Sequence, residues 1–494
     1  MTNQPASRAG DAPLPLERLF ESPSLGGPVP GLARYAPNGR SIAYLRPADD
    51  DLERLDLWIH DVAGNRSRCL VDARSLGAER ALSDAEKARR ERLRMFSAGI
   101  VEFLFSADGK RILFPLAGRL HAVEVDAAVP VPDPLTPEDL FVTDLRVSRA
   151  SGAIAFVHAQ NLWLLDADGP RALTTDGGGA ISYGLPDFIA AEEMHRFDGY
   201  FFSPSGRRIA VLKVDESPIA VSHRYEIDGD GFSIHAQRYP YTGGPNARVE
   251  LGVVDLEDGS WRWLEWRATD SEYLARVTWL PEDAGLLIQR QPRDQATLEL
   301  VRLDLDGRAR VVLTERSPTW VNLHDDLRVL AGGREALWSS ERNDVRQLFR
   351  LDLADGTLTA LSPEDGMSSR LIGIDESGRR AWVEGAFEHP ARRQLYTLGL
   401  DDGALHRVSD GRGCHTAQLA PDCSSLLDRR EALDQPPVLE LLHTDGTLQA
   451  TLVGNDPGAP DHPYAPWHAG HLLPQLGELE AEDGQTLYWR LTVP

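Results

Sequence analysis

Ala150-Ser151-Gly152-Ala153-Ile154-Ala155-Phe156-Val157, followed by Leu162-Trp163-Leu164-Leu165-Asp166-Ala167-Asp168-Gly169, runs through a turn, a short β-rich stretch, a second apolar stretch and an acidic turn. The leading turn ends in glycine, which tolerates the positive φ that such a turn feeds into a strand. The same opening recurs at Pro37-Asn38-Gly39, Ala107-Asp108-Gly109, Pro204-Ser205-Gly206 and Glu376-Ser377-Gly378, and more loosely at Pro421-Asp422-Cys423. The second stretch recurs as Leu57-Trp58-Ile59-His60-Asp61, Leu251-Gly252-Val253-Val254-Asp255 and Leu348-Phe349-Arg350-Leu351-Asp352. A small antiparallel sheet repeated about every 45 residues cannot bury its own faces, and radial stacking of such sheets supplies the missing core. The expected fold is all-β: a β-propeller of about eight four-stranded blades with helical insertions.

Three domain-level segments follow from this repeat. Residues 1–33 read as an N-terminal lead and 34–455 as the propeller. Residues 456–494 read as a linker, marked by Pro457, Pro460, Pro463, Pro466 and Pro474, and one strand towards a further domain. Three stretches break the repeat. Ala81-Leu82-Ser83-Asp84-Ala85-Glu86-Lys87-Ala88-Arg89-Arg90-Glu91-Arg92-Leu93-Arg94 has strong helix propensity and predicts an insertion helix over about 78–95. Arg238-Tyr239-Pro240-Tyr241-Thr242-Gly243-Gly244-Pro245-Asn246 is a Pro/Gly-rich loop. Asp176 to Ala191 leads into a helix over about 187–197 that carries Glu192 and Glu193. Insertions in repeat folds collect on one face and build binding sites, so function is sought there.

Composition narrows the classes of ligand. The formal net charge of −24 opposes binding to nucleic acid or anionic lipid and favours cationic ligands. No apolar run is long enough to span a membrane, and the polar start of the chain lacks a secretory core, so cytoplasmic residence is the expectation. Cys69, Cys414 and Cys423 have no zinc or disulfide spacing. Neither G-x-S-x-G nor H-E-x-x-H occurs, and Gly177-Gly178-Gly179 lacks the lysine of a phosphate loop. No cofactor or metal is expected.

The adjacent pair Glu192–Glu193 is the sharpest polar feature, because neighbouring carboxylates repel unless a cation lies against both. On spacing alone the plain alternative is a surface ion pair of Glu192 with Arg196, four residues on. Arg90-Glu91-Arg92-Leu93-Arg94 has the same two readings: a solvated charge run, or an arginine gripping a carbonyl.

Ala191-Glu192-Glu193-Met194-His195-Arg196, Gly199-Tyr200-Phe201-Phe202-Ser203-Pro204, Val214-Asp215-Glu216-Ser217-Pro218, Ser317-Pro318-Thr319-Trp320-Val321 and Leu337-Trp338-Ser339-Ser340-Glu341-Arg342 resemble the N-terminal propeller of the dipeptidyl peptidase IV family of serine peptidases. The resemblance covers nearly the whole chain. It implies that Glu192 and Glu193 bind the free α-amino group of a peptide, for release of N-terminal X-Pro or X-Ala dipeptides. It implies that Arg92, or failing it Arg94, holds a carbonyl of the bound dipeptide. Glu341, Arg342 and Arg346 resemble a pocket-edge segment, but Asn343-Asp344-Val345 departs from the family pattern and no binding role is carried onto them. The family's catalytic serine, aspartate and histidine lie on an α/β-hydrolase domain, so the expected partners are a free-amine peptide and that domain, and a homodimer is allowed. This chain alone is expected to be inactive. The alternative is a non-catalytic propeller that binds peptide N-termini or a protein partner.

Overall fold

The computed structural model describes residues 13–76, 89–91, 94–95, 97–227, 229–269 and 272–493. Among the described residues, eight mainly antiparallel sheets succeed one another along the chain and form the blades of a propeller. The first blade begins at Ala33–Tyr35 and the eighth ends at Leu448–Val453. The fold expected from the repeat is the one observed.

Strand Arg208–Asp215, in the fourth blade, shows why the sequence takes this form. Ala210, Leu212 and Val214 enter one hydrophobic cluster with the fifth blade. Ile209 and Val211 enter another with the third. The two-residue side-chain period of a strand thus serves both neighbours at once, and a near-continuous apolar run is the sequence signature of that double burial. Each hydrophobic cluster bridges two successive blades. The ring closes where Ile42 and Tyr44 of the first blade pack on Leu427, Leu439 and Leu441 of the eighth. Closure is by side chains: among the described residues no strand crosses between the end blades, but the Gln418 amide donates to the Ala33 carbonyl at 2.8 Å and Tyr35 Oη lies 3.0 Å from Ser425 Oγ.

Departures from four strands are concentrated in blades one to four. Ala98–Gly99 adds a parallel fifth strand to the first blade. The innermost strand of the fourth blade is split into Ile181–Tyr183 and Tyr200–Phe202, which pair with opposite halves of Arg208–Asp215. An isolated hairpin, Val221–Ile227 with Phe232–Arg238, leaves the same blade before Arg208–Asp215 meets its next partner.

After the last blade, the proline-rich segment is folded back in turns and a four-residue helix, Ala465–His468. Asn455 ties its start to the N-terminal lead through a 2.9 Å bond to the Gly26 carbonyl. Where one terminal strand is expected there is a hairpin, Gln475–Glu480 with Thr486–Leu491. Gly484 supplies the turn at φ +82°, so the preceding Glu-rich stretch pairs back instead of running on.

Candidate functional site

The split strand of the fourth blade makes the site. The chain leaves at Gly184 and returns at Gly199, and the two residues form an isolated bridge. A β-carbon on Gly199 would lie 2.2 Å from the Gly184 carbonyl carbon, so only glycine permits this neck. Between its two ends stands the helix Phe188–Glu192. Asp187 caps it by accepting from the Ala190 N–H at 3.1 Å. Ala190, Ala191 and Met194 are buried beneath it, and Glu192 and Glu193 are exposed.

The helix is shorter than the span read from sequence, and this corrects the surface ion pair expected between Glu192 and Arg196. Glu193 is already the C-cap, and His195 turns left-handed at φ +52°. Arg196 therefore leaves the helical face that four-residue spacing assumes. It is buried, lies 3.3 Å from Asp187 and also donates to the Asp198 carbonyl. Burial lowers its pKa, with Asp187 acting in the opposite direction. Arg196 thus fixes both ends of the insertion from inside. Glu193 makes no side-chain hydrogen bond or ion pair among the described residues.

The other two irregular stretches converge here. Phe188 meets Tyr239 edge to face at 5.3 Å, and Tyr239 meets Tyr241 at 4.9 Å, so the Pro/Gly-rich loop buttresses the helix. Arg224 of the hairpin lies 3.9 Å from Glu91 of the insertion segment. Arg92 lies outside the described residues, as does most of the expected insertion helix. Arg94 is exposed, at φ +55°, with its backbone N–H bonded to the Glu91 carbonyl.

Beside the helix is a cavity of about 670 Å³ lined by residues of the first strands of blades one to four, Arg34, Leu104, Arg146 and Ser182 among them, and by Ala191 and Asp198 of the insertion. Its charges were not singled out from sequence. Arg89 pairs with Glu102 at 2.5 Å and approaches Asp144 at 3.9 Å. Arg146 pairs with Asp198 and lies over the Tyr200 ring at 5.6 Å. Burial pushes the Asp144 carboxyl up to about 6 and the Tyr200 phenol far above its usual range. The local signal that was available is Asp187, three residues before Ala190 at N-cap spacing. Nothing local marks Arg34, Asp144 or Arg146; the last two share the strand Thr143–Val147, and the ring sets Arg34 of the first blade around the same cavity.

Glu341, Arg342 and Arg346 line a second cavity, of about 300 Å³, between blades five and six. Their charges are internally committed: Glu341 pairs with Arg346 at 2.9 Å and Arg342 with Glu315 at 2.9 Å.

Residues 106–437 match the family described as Dipeptidyl peptidase IV (DPP IV) N-terminal region. Dipeptidyl peptidase 8 of Mus musculus is 22% identical over 522 residues, taking in 83% of this chain and 57% of the mouse protein. Dipeptidyl aminopeptidase B of Saccharomyces cerevisiae is 27% identical over 194 residues, 36% of this chain and 24% of the yeast protein. The crystal structure of Porphyromonas gingivalis dipeptidyl peptidase 4 superposes with a TM-score of 0.78 at 18% sequence identity, covering 98% of this chain and 67% of that one. At that identity the structural likeness carries the fold alone. The chain spans 57% of the length of the mouse relative.

Proposed function

This chain belongs to the dipeptidyl peptidase IV N-terminal region family, and on that premise we propose that it is the substrate-recognition propeller of a serine-type dipeptidyl peptidase, binding the free N-terminus of a peptide. The observation that carries the reading is the exposed pair Glu192–Glu193 on a helix held rigid from below by the Asp187–Arg196 pair. Two adjacent carboxylates suit an α-ammonium group, whose pKa of about 7.7 to 8.0 keeps it largely cationic at neutral pH. Its N–H donors make charge-assisted bonds to both acids. Anchoring one end of the peptide at a fixed point selects a fixed bond further along it, which is how a binding site comes to count residues.

Cleavage belongs in this reading to an α/β-hydrolase domain carrying the nucleophile, base and oxyanion donors. The hairpin Gln475–Glu480 with Thr486–Leu491 supports such a neighbour. Leu479, Leu487, Trp489 and Leu491 share one of its faces and are 38–50% exposed, more apolar surface than a two-stranded sheet can cover by itself.

The test is turnover. In an enzyme that joins this propeller to its hydrolase domain, Glu192→Ala and Glu193→Ala should each abolish release of Gly-Pro or Ala-Pro dipeptides. Release that survives both changes would refute the amine anchor.

A further inference from the structure

The first strand of the third blade, Thr143–Val147, carries two of the cavity's charges in a bulged frame. Thr143 opposes Val157 and Arg146 opposes Ala155, so Asp144 and Leu145 together face one partner residue. Asp144 takes up the extra length at φ +53°, a left-handed conformation that aspartate tolerates better than most residues. The hydroxyl of the buried Tyr200 closes the bulge, 2.5 Å from the Asp144 carbonyl and 2.8 Å from that of Ala155. Tyr200 begins the strand Tyr200–Phe202, where the glutamate insertion re-enters the fourth blade, so the bulge is pinned from the foot of that insertion.

The two charges on this strand run to different insertions. Asp144 approaches Arg89 of the arginine-rich segment at 3.9 Å, and Glu102, just ahead of the second blade's first strand, pairs with the same guanidinium group at 2.5 Å. The side chains of Arg89, Glu102 and Asp144 are 17%, 22% and 11% exposed, so water and salt screen this contact far less than the outer contact of Glu91 with Arg224, where the two are 60% and 42% exposed. Burial raises the Asp144 carboxyl to about 6, which leaves it mostly ionised beside Arg89 at neutral pH. Arg146, two residues on, pairs with Asp198 at the returning end of the glutamate insertion and lies over the Tyr200 ring. Close to each hold the backbone is itself hydrogen-bonded: Met95 N–H donates to the Arg90 carbonyl at 2.8 Å in one insertion, and Met194 N–H to the Ile189 carbonyl at 3.2 Å in the other.

We infer that the bulged strand Thr143–Val147 is a bracket shared by the two insertions, with Asp144 and Arg146 as positioning residues that fix the arginine-rich segment and the Glu192–Glu193 helix relative to each other. What the bracket does for a ligand rests on the peptide-binding reading above. In that reading an ammonium group is held at one insertion and an arginine of the other takes a carbonyl, and the two grips measure a peptide only while their separation is constant. A misplacement of about 1 Å costs about a hundredfold in rate. Anchors two residues apart on one strand keep that separation, whereas loops pinned to separate blades would follow every movement between blades.

Hydrogen exchange of the full chain, read by mass spectrometry at about pH 7.5, tests the bracket with no ligand present. Asp144→Asn should speed exchange at the Arg94 and Met95 amides about tenfold and leave those of Glu193 and Met194 as in the wild type. Arg146→Gln should do the reverse, by a smaller factor because its pair with Asp198 is more exposed, and Arg146→Lys should restore most of the protection. Tyr200→Phe should speed both pairs of amides, since both anchors depart from the bulge that its hydroxyl closes. Exchange in Arg380–Ala386 of the seventh blade should be unchanged in every variant. In calorimetric titration with Ala-Pro-Gly, Asp144→Asn and Arg146→Gln should each bind about tenfold more weakly than the wild type, and Arg146→Lys close to it. The inference is overturned if Asp144→Asn or Arg146→Gln loosens both insertions or neither, or if Tyr200→Phe leaves Arg94 and Met95 protected. It is also overturned if the seventh-blade strand speeds up equally, or if the loosened variants keep wild-type affinity. A wild-type chain that does not bind Ala-Pro-Gly refutes the amine anchor instead, and the exchange pattern still decides the bracket.

Discussion

Blades five to eight and blades one to four are built from the same four-stranded unit, but they treat charge differently. In blades five to eight, acids stitch one blade to the next. Asp326 accepts from Ser339 Oγ at 2.7 Å and from the Leu371 N–H of the seventh blade at 2.8 Å. Glu384 of that blade accepts from the Ala417 N–H of the eighth at 3.0 Å and pairs with Arg370. Glu315 takes both Trp338 Nε1 and Arg342. In blades one to four, an insertion on a glycine neck lifts two carboxylates to the surface. A repeat whose polar groups are buried against one another is a wall; where they are presented to solvent, it can hold a ligand.

Substitutions that separate wall from site would sharpen this contrast. The largest effect is expected in the wall. Trp338 is buried between blades five and six, and Trp338→Ala should cost about 3–5 kcal/mol in chemical denaturation, with peptide affinity per folded molecule unchanged. A matching loss of affinity would break the distinction between the two halves. Gly199→Ala should act the other way round. Its β-carbon meets backbone, which cannot move aside as a side chain can, so the helix must shift. Affinity for free-amine peptides should fall at least tenfold, by misplacement of the carboxylates, while most of the ring stays folded. An unchanged affinity would mean that the neck does not position the site.

The smallest effect is one of pH, and it belongs to the wall. Burial holds His324 down at about 4, and its Nδ1 accepts the Asp326 N–H at 3.2 Å, which fits a neutral ring. Asp325 and Asp326 favour its charge, whereas Arg276 and Arg346 oppose it. The unfolded chain binds this proton near pH 6.5, so between about 6.5 and 4 it holds more protons than the folded chain. The stability contributed by a neutral His324 is therefore complete above about pH 6.5 and declines as pH falls towards 4. His324→Gln should flatten the dependence of melting temperature on pH in that window. An unaltered slope would assign the dependence to other groups.

What is legible in the sequence follows the same division. The repeat can be read because glycine turns and two-residue apolar periods are local, as in Pro204-Ser205-Gly206 ahead of Arg208–Asp215. Glu192 and Glu193 can be read because they are neighbours. The partner of Arg196 cannot, because four-residue spacing presumes a helix that continues, and this one stops at Glu192 and passes His195 at positive φ. Arg34, Asp144 and Arg146 cannot be read either. Arg34 comes from the first blade and Asp144 and Arg146 from one strand of the third, and only the packing of successive blades sets them around one cavity. Position around a ring is a long-range property, whereas strand period is a short-range one.

The central claim is that Glu192 and Glu193 hold a peptide's α-ammonium group. Calorimetric titration of the full chain with Ala-Pro-Gly and with N-acetyl-Ala-Pro-Gly, repeated on Glu192→Gln/Glu193→Gln, tests it most directly. The account predicts that the free-amine peptide binds the wild-type chain at least a hundredfold more tightly than the acetylated one, and that the double variant loses the difference. Equal binding of the two peptides to the wild-type chain would contradict it.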